Sequence, residues 1–372
     1  MRRPRVLCVL SSDFGEYVTA SLFARAQPFD AHFALPEALA RFVPPGAPGH
    51  SAYRDFGDIR ALAASLRPDA VLLASGYLYA VNRLASLDQL AGLMAELRRA
   101  GAALATTDPW LRVWALRPES RYAIHSIQRG GVDADLSGRM TALQRSLEKL
   151  LAAVPHVFAV PLADAGRGWL PFFNPQFAER ARAEPGEAPE WLFVLSREDY
   201  VFLAGFERQA FFEGLERRVR ELLALEENRL RFIAPPEIGR FLAERWPAEP
   251  RLSYTPFCDF AAFEGHVRNA RIVVYWNIIS SSLLYCLYYG VPPIFYGTGH
   301  LAKVCPGLDR HAAEHVYRGR PPRLLELGAP LTADAHALAH EMGLDAWVAQ
   351  MRREYESSPP PSALLATIRG RA

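Results

Sequence analysis

Short continuous apolar runs alternate along this chain with stretches whose apolar residues recur every three or four positions. That is the pattern of buried strands followed by helices packed on a sheet. Arg5 to Leu10 (RVLCVL) predicts a first strand and Glu16 to Ala26 a helix, joined through the turn SSDFG. A second strand is expected near Ala31 to Leu35, before the Pro- and Gly-rich loop Val43 to His50, which should be exposed and mobile. Phe56 to Leu66 predicts a helix, Ala70 to Ala74 a strand, Leu87 to Ala100 a helix and Ala102 to Thr106 a strand. The periodicity lapses from Asp108 to Ser137, after which a helix (Thr141 to Ala153) and a strand (His156 to Pro161) close the first half. Strands alternating with helices indicate a parallel sheet with right-handed crossovers.

The same grammar returns after Gly166 to Pro189, a Pro- and Gly-rich stretch that reads as an interdomain linker. Strands are expected at Trp191 to Leu195, Arg229 to Ala234, Arg251 to Phe257, Ile272 to Tyr275 and Pro293 to Tyr296. Helices are expected at Arg208 to Leu225, Pro236 to Arg245, Asp259 to Arg268 and Ser280 to Tyr289, and Ala333 to Glu356 reads as largely helical. At 372 residues the chain exceeds the size at which one core keeps growing. The expected fold is therefore α/β, with two Rossmann-like doubly wound domains facing a central cleft. They occupy residues 1–165 and 190–356, with the linker at 166–189 and a tail, 357–372, that crosses back to the first domain.

Composition narrows the function. A net charge of +2, from 42 basic and 40 acidic residues spread along the chain, leaves no footprint for nucleic acid. Cys8, Cys258, Cys286 and Cys305 form no C-x-x-C pair and read as buried thiols in a reducing compartment. The first apolar run stops at Ser11, Ser12 and Asp13, too soon for a signal-peptide core, and no run approaches the roughly 20 residues that span a bilayer. A cytoplasmic protein without a transmembrane segment is expected.

The densest candidate chemistry lies in Arg271 to His300, RIVVYWNIISSSLLYCLYYGVPPIFYGTGH. A strand, a hydroxyl-rich turn, a helix, a glycine stop and a second strand follow one another there. Asn277, Ser280, Ser281 and Ser282 crowd the helix start, where backbone N–H groups and the positive end of the dipole favour a phosphate. The same residues serve equally as an N-cap and a polar turn. Arg197, just after a strand, is placed for a phosphate or for solvent. Gly297-Thr298-Gly299-His300 offers backbone N–H groups and an imidazole to a leaving diphosphate, or is a plain glycine turn. Asp13 and Glu16 lie at the carboxyl edge of the first sheet, where ligands of open α/β sheets bind, and suit either a general base or a helix cap and first-turn acid. Asp133-Ala134-Asp135 and the trio His311, Glu314 and His315 have the spelling of metal motifs. The first lacks a strand end and the second a third ligand, so no metal is expected.

Two Rossmann-like halves, the strand, SSDFG and helix opening, and the late strand, SSS, helix, GVPP and strand unit together resemble the GT-B superfamily of glycosyltransferases. The resemblance covers the architecture of the whole chain, and those two motifs carry it. It implies a nucleotide-sugar donor on the second half, no further cofactor, and an acceptor with a catalytic base near Asp13 on the first. It implies donation from Asn277, Ser280, Ser281 and Ser282 to the diphosphate, and contacts of Thr255, Pro256 and Phe257 with the nucleotide base. Many members hold the ribose with a Glu on the helix after the serines, whereas this chain has Tyr285 and Cys286 and no acid between Ser280 and Gly290. The expectation is an inverting, metal-independent glycosyltransferase acting on an unknown acceptor. A nucleotide-sugar epimerase or hydrolase of the same fold is one alternative. A non-catalytic nucleotide- or glycan-binding scaffold is another, motivated by Tyr285, Tyr288 and Tyr289, which would fill rather than line the cleft.

Overall fold

The computed structural model describes residues 2–11, 14–25, 29–44, 46–81, 84–107, 146–147, 149–152, 154–158, 169–171, 190–225, 227–297, 309–310, 312–317, 319–327, 338, 343–356 and 361–370. The chain divides into two compact units. Each is built on one sheet, and every strand pairing in both sheets is parallel.

The first sheet contains β1 (Arg5–Val9), β2 (Asp30–Pro36), β3 (His50–Tyr53), β4 (Ala70–Leu73), β5 (Ala103–Thr107), β6 (His156–Phe158) and β7 (Trp169–Pro171). Its order is β3-β2-β1-β4-β5-β6-β7, so the direction of winding reverses between β1 and β4. β1 and β4 are apolar without interruption because helices cover both faces of a parallel sheet, and their residues from Val6 to Val9 and from Ala70 to Leu73 are buried. Leu7, Val9, Val71 and Leu73 share a core with Ile59, Leu90, Leu93 and Met94 from the helices Phe56–Leu66 and Leu87–Arg99. Both helices start on sequence-encoded caps. Asp55 accepts from the Gly57 and Asp58 N–H groups, and Ser86 with Gln89 forms a capping box. The C-terminal helix Pro361–Gly370 returns to this unit, packing on β4 and β5, with Arg369 3.0 Å from Asp69.

The second sheet repeats the plan with β8 (Glu190–Val194), β9 (Arg229–Ile233), β10 (Leu252–Thr255), β11 (Ala270–Tyr275), β12 (Pro293–Tyr296) and β13 (Leu324–Leu325). The order β10-β9-β8-β11-β12-β13 places the reversal between β8 and β11. Trp191, Phe193, Phe232, Val274, Trp276 and Tyr296 centre its core, and the rings of Phe193 and Phe232 stack with centroids 4.4 Å apart.

Several elements differ from the sequence expectation. The residue at the end of the loop Val43 to His50 opens a strand, β3. Trp169–Pro171, inside the stretch read as a linker, pairs with β6; the rest of that stretch lies outside the described residues. The short helix Gly76–Val81 and the two-residue β13 were not expected either. Elements of so few residues span at most two periods of their pattern, too few to stand out in the sequence. The helix expected from Arg208 begins at Arg197, directly behind β8. Its first turns hide in REDYVFLAG, whose Tyr200 and Leu203 join the core of the sheet, and non-helical backbone at Glu207 (φ −146°, ψ 59°) separates that opening from the remainder.

Candidate functional site

In an open doubly wound sheet the loops on either side of the reversal part and leave a crevice at the carboxyl ends of the strands. In the second unit the loops after β8 and β11 meet there. Ser196 caps the helix Arg197–Leu223 by accepting from the Asp199 N–H at 3.0 Å, and its hydroxyl donates back to the Asp199 carboxylate at 3.0 Å. Asp199, only 7% exposed, also accepts from the Asn277 Nδ2 amide at 2.8 and 2.7 Å. Asn277 Oδ1 in turn accepts from the Ile279 N–H at 2.8 Å, an Asx turn that sets the path of the chain into the serines. The Tyr317 hydroxyl donates to the Ile278 carbonyl at 2.5 Å, holding the same turn from inside the unit.

The turn thus braced presents Ser280, Ser281 and Ser282. Ser280 and Ser281 are half-buried, whereas Ser282 is buried and shares a 2.8 Å hydroxyl hydrogen bond with Ser280. The helix that follows, Leu283–Tyr289, is shorter than expected. Its first amides, those of Leu283, Leu284 and Tyr285, donate to the carbonyls of Ser280, Ser281 and Ser282 at 3.0, 3.2 and 3.0 Å. Those N–H groups are therefore spent inside the turn, and the donors it offers are the half-buried hydroxyls of Ser280 and Ser281. The helix ends at Gly290, whose left-handed φ of 70° suits glycine, before β12.

The neighbouring strand ends supply the other expected residues. Arg197 is half-exposed and ion-paired with Glu237 at 2.6 Å, its guanidinium also resting over the Tyr200 ring. That pairing holds the Glu237 carboxyl below its ordinary range, the hydrogen bond from Arg197 being the largest cause. Thr255 closes β10 and accepts at its carbonyl from the Ala234 N–H at 3.3 Å, while Phe257 beyond it is exposed. Gly297 follows β12 and donates to the Leu325 carbonyl at 3.2 Å. Gly299 and His300 lie outside the described residues.

The first unit has a matching arrangement. Glu16, the third residue of the helix Phe14–Ala24, is 3% exposed. Its carboxylate accepts from the Ser75 hydroxyl and, at 3.4 Å, from the Thr107 hydroxyl. Ser75 follows β4 with a left-handed φ of 39°, rare outside glycine, and its N–H donates to Thr107 Oγ1 at 2.7 Å. The next amide, Gly76 N–H, donates to Thr106 Oγ1 at 3.0 Å. The strained turn is held from three sides, and Glu16 is its anchor. Asp13 lies outside the described residues. So do Asp133, Asp135 and His311, while Glu314 sits on a π-helical turn, Ala312–Val316.

The structure therefore gathers Arg197, Thr255, Phe257, Asn277, Ser280, Ser281, Ser282 and Gly297 on strand ends and following loops along one edge of one sheet. Sequence reasoning missed Asp199 and Glu237, and it placed Ser75 and Thr107 at strand ends without tying them to Glu16. The spacing Ser196-x-x-Asp199 is a helix-start signal that the expected start at Arg208 passed over, whereas the reach of Asp199 across to Asn277 depends on strand order. In both units an acid at the third position of the helix after the first strand clamps the loop after the fourth: Glu16 to Ser75, and Asp199 to Asn277.

No protein-family model matches the chain, and no curated protein matches it by sequence. Solved structures to which it is similar include a spinosyn rhamnosyltransferase, SpnG, complexed with thymidine diphosphate, at 14% identity and TM-score 0.49, covering 98% of this chain and 99% of that one. The glycosyltransferase SnogD from Streptomyces nogalater matches at 12% identity and TM-score 0.48, over 99% of both chains. A putative UDP-N-acetylglucosamine 2-epimerase from Listeria monocytogenes matches at 12% identity and TM-score 0.43, over 98% of this chain and 94% of that one. The strand orders themselves, rather than these distant likenesses, establish two doubly wound α/β units.

Proposed function

We propose that this chain is a glycosyltransferase that takes its sugar from a nucleoside diphosphate donor held on the second unit. One observation carries the reading: the Ser280–Ser282 turn at the β8/β11 reversal is braced by Asn277, Asp199 and Tyr317. Donors fixed before charge develops lose nothing to reorganisation, which is what a departing diphosphate requires. Ser280 and Ser281 hydroxyls donate to the diphosphate, and Asn277 positions the turn rather than touching the ligand, because both ends of its amide are already committed. Arg197 joins them by turning from Glu237 toward the phosphates, and Phe257 offers an exposed ring to the nucleotide base.

On the first unit Asp13 is the base. Glu16, buried and hydrogen-bonded at both oxygens, holds Ser75 and has no path to an acceptor. The acceptor hydroxyl attacks the anomeric carbon, the bond to the diphosphate breaks with its electron pair leaving on the diphosphate, and the hydroxyl proton passes to Asp13. A single displacement inverts the anomeric centre. The tyrosines that motivated a scaffold reading belong to the core: Tyr285 packs near Phe263, and the Tyr289 hydroxyl donates to Glu264. They do not fill a ligand crevice on the strand ends.

The test is release of nucleoside diphosphate from a panel of nucleotide sugars, with and without candidate acceptors. Asp13→Asn should lower kcat by about 10²–10⁴ while leaving the melting temperature unchanged. Turnover unaffected in Asp13→Asn would remove the base assignment. Release that ignores every acceptor, or conversion of the donor to its epimer, would move the chain to the hydrolase or epimerase class.

A further inference from the structure

The edge of the first sheet opposite Ser75 and Glu16, where its strands begin, concentrates positive charge. Arg2, Arg3, Arg60, Arg67, Arg98 and Arg99 are all exposed there. They reach it by different routes: β1 starts at Arg5, and the helices Phe56–Leu66 and Leu87–Arg99 both end on this side. The edge is knit together by local bonds. The Arg5 guanidinium donates to the Leu66 carbonyl at 2.7 Å, and Asp69 collects the Arg5 N–H at 2.7 Å, Arg2 at 3.4 Å and Arg369 at 3.0 Å. These arginines, with Arg5 and Arg369, stand beside the acids Asp30, Asp69 and Glu96 in a chain whose whole net charge is +2. Arginine at a helix C-terminus compensates the helix dipole, which accounts for Arg98 and Arg99 but not for Arg2, Arg3 or Arg60.

Between the two helix ends lies a groove of about 400 Å³. Its apolar lining is small, from Ala63, Ala64, Pro68, Leu97, Ala100 and Ala102, and Arg60 and Arg67 flank it. Arg60 is braced there by Glu96 at 2.6 Å. We infer that this edge docks on an anionic lipid surface, with lipid phosphates on the arginines and one headgroup seated in the groove. Charge complementarity favours an anionic partner, and the apolar lining between guanidinium groups suits an amphiphile. Single-stranded nucleic acid fits less well, because its sites add aromatic side chains for base stacking to the charged groove. The exposed aromatic side chain among the described residues, Phe257, belongs to the other unit. Among the described residues no helix is long and apolar enough to cross a membrane, so the contact is peripheral and electrostatic. It uses the sheet edge away from the strand ends where ligands of this fold bind, and so leaves them open.

The test is flotation of the full chain with vesicles of phosphatidylcholine alone and of phosphatidylcholine mixed with phosphatidylglycerol, at low and high salt. The protein should float with the anionic vesicles only, and salt should release it. Replacing Arg60, Arg67, Arg98 and Arg99 with Ser should weaken binding by about fivefold per arginine. Replacing Arg240, Arg268, Arg320 and Arg323, exposed arginines of the second unit, with Ser removes the same charge and should leave flotation intact. If the first quadruple variant fails to fold, Arg2→Ser with Arg3→Ser takes its place. No flotation of the native chain at low salt would overturn the inference, as would equal losses in the two quadruple variants. Retention on single-stranded RNA or polyglutamate without flotation would overturn it in favour of those partners.

Discussion

Glu16 and Asp13 are three residues apart, and nothing in their local spelling separates a base from a cap. The burial of Glu16 decides its own part. Glu16 has the Ser75 and Thr107 hydroxyls on its carboxylate and shields a non-glycine residue at positive φ, a conformation costing ~1–3 kcal/mol unless its surroundings hold it. Glu16→Ala should therefore lower the unfolding free energy by ~2–3 kcal/mol in a denaturant titration, leaving two buried hydroxyls unpaired. Loss of turnover with unchanged stability in that variant would return the catalytic role to Glu16. Histidines give a second check. Burial holds His32 and His266 below the ordinary 6.5, with nearby His50 and Arg231 respectively adding to the effect. The unfolded chain then binds more protons below pH 6.5, so stability is full above that pH and declines as pH falls toward the lower folded values. The melting temperature should drop between about pH 7.5 and pH 5.5. Replacing both histidines with Gln should flatten that drop, and an unchanged slope would contradict the assignment.

Helix and strand periods were readable in most of the longer elements, as at Phe56–Leu66, Pro236–Arg245 and Pro293–Tyr296, but not in the helix Pro361–Gly370, read only as a tail, or in the opening turns after Arg197. Edge strands such as β3 and β13 were not, because a few half-covered residues carry no period. What positions the serine turn was half legible: Asn277 and the serines stand in the sequence, while Asp199 reaches them only because β8 and β11 become neighbours. Asn277→Ala should raise the Kd for the bound nucleotide about tenfold by unfixing the turn, and should lower the unfolding free energy by ~1–3 kcal/mol because the buried Asp199 carboxylate loses its amide partner. Elsewhere the helix Pro236–Arg245 lies so close to β10 that a Cβ on Gly239 would come within 2.4 Å of the Tyr254 ring. Gly239→Ala should cost ~1–3 kcal/mol in unfolding free energy, since the Tyr254 ring must shift, and with it the hydroxyl that donates to the Ala234 carbonyl, to admit the methyl group. A neutral result would mean that the helix slides freely.

At the scale of the molecule, two units share one plan, each reversing after its first three strands and each clamping the reversal with a helix acid. The plan was visible in the alternation of strands and helices. The clamps were not, since they join residues 59 and 78 positions apart. Each unit also carries a buried thiol, Cys8 in β1 and Cys286 under the Tyr275 hydroxyl, both pushed up to about 12 by burial. Neither should react with a thiol reagent until its own unit opens. A nucleotide at 100 times its Kd adds about 2.7 kcal/mol to the unit it binds. Mass spectrometry of labelled peptides should therefore find Cys286 protected by nucleotide more than Cys8, and equal protection would place the ligand elsewhere.

The most direct test of the central claim is a calorimetric titration of the chain with UDP, GDP, ADP, dTDP and CMP, repeated on the double variant Ser280→Ala, Ser281→Ala. Tight binding of one nucleoside diphosphate, lost in the double variant while its melting temperature holds, is the predicted result. No binding of any of them at millimolar concentration, or binding that ignores the two serines, would contradict the donor site at the β8/β11 reversal.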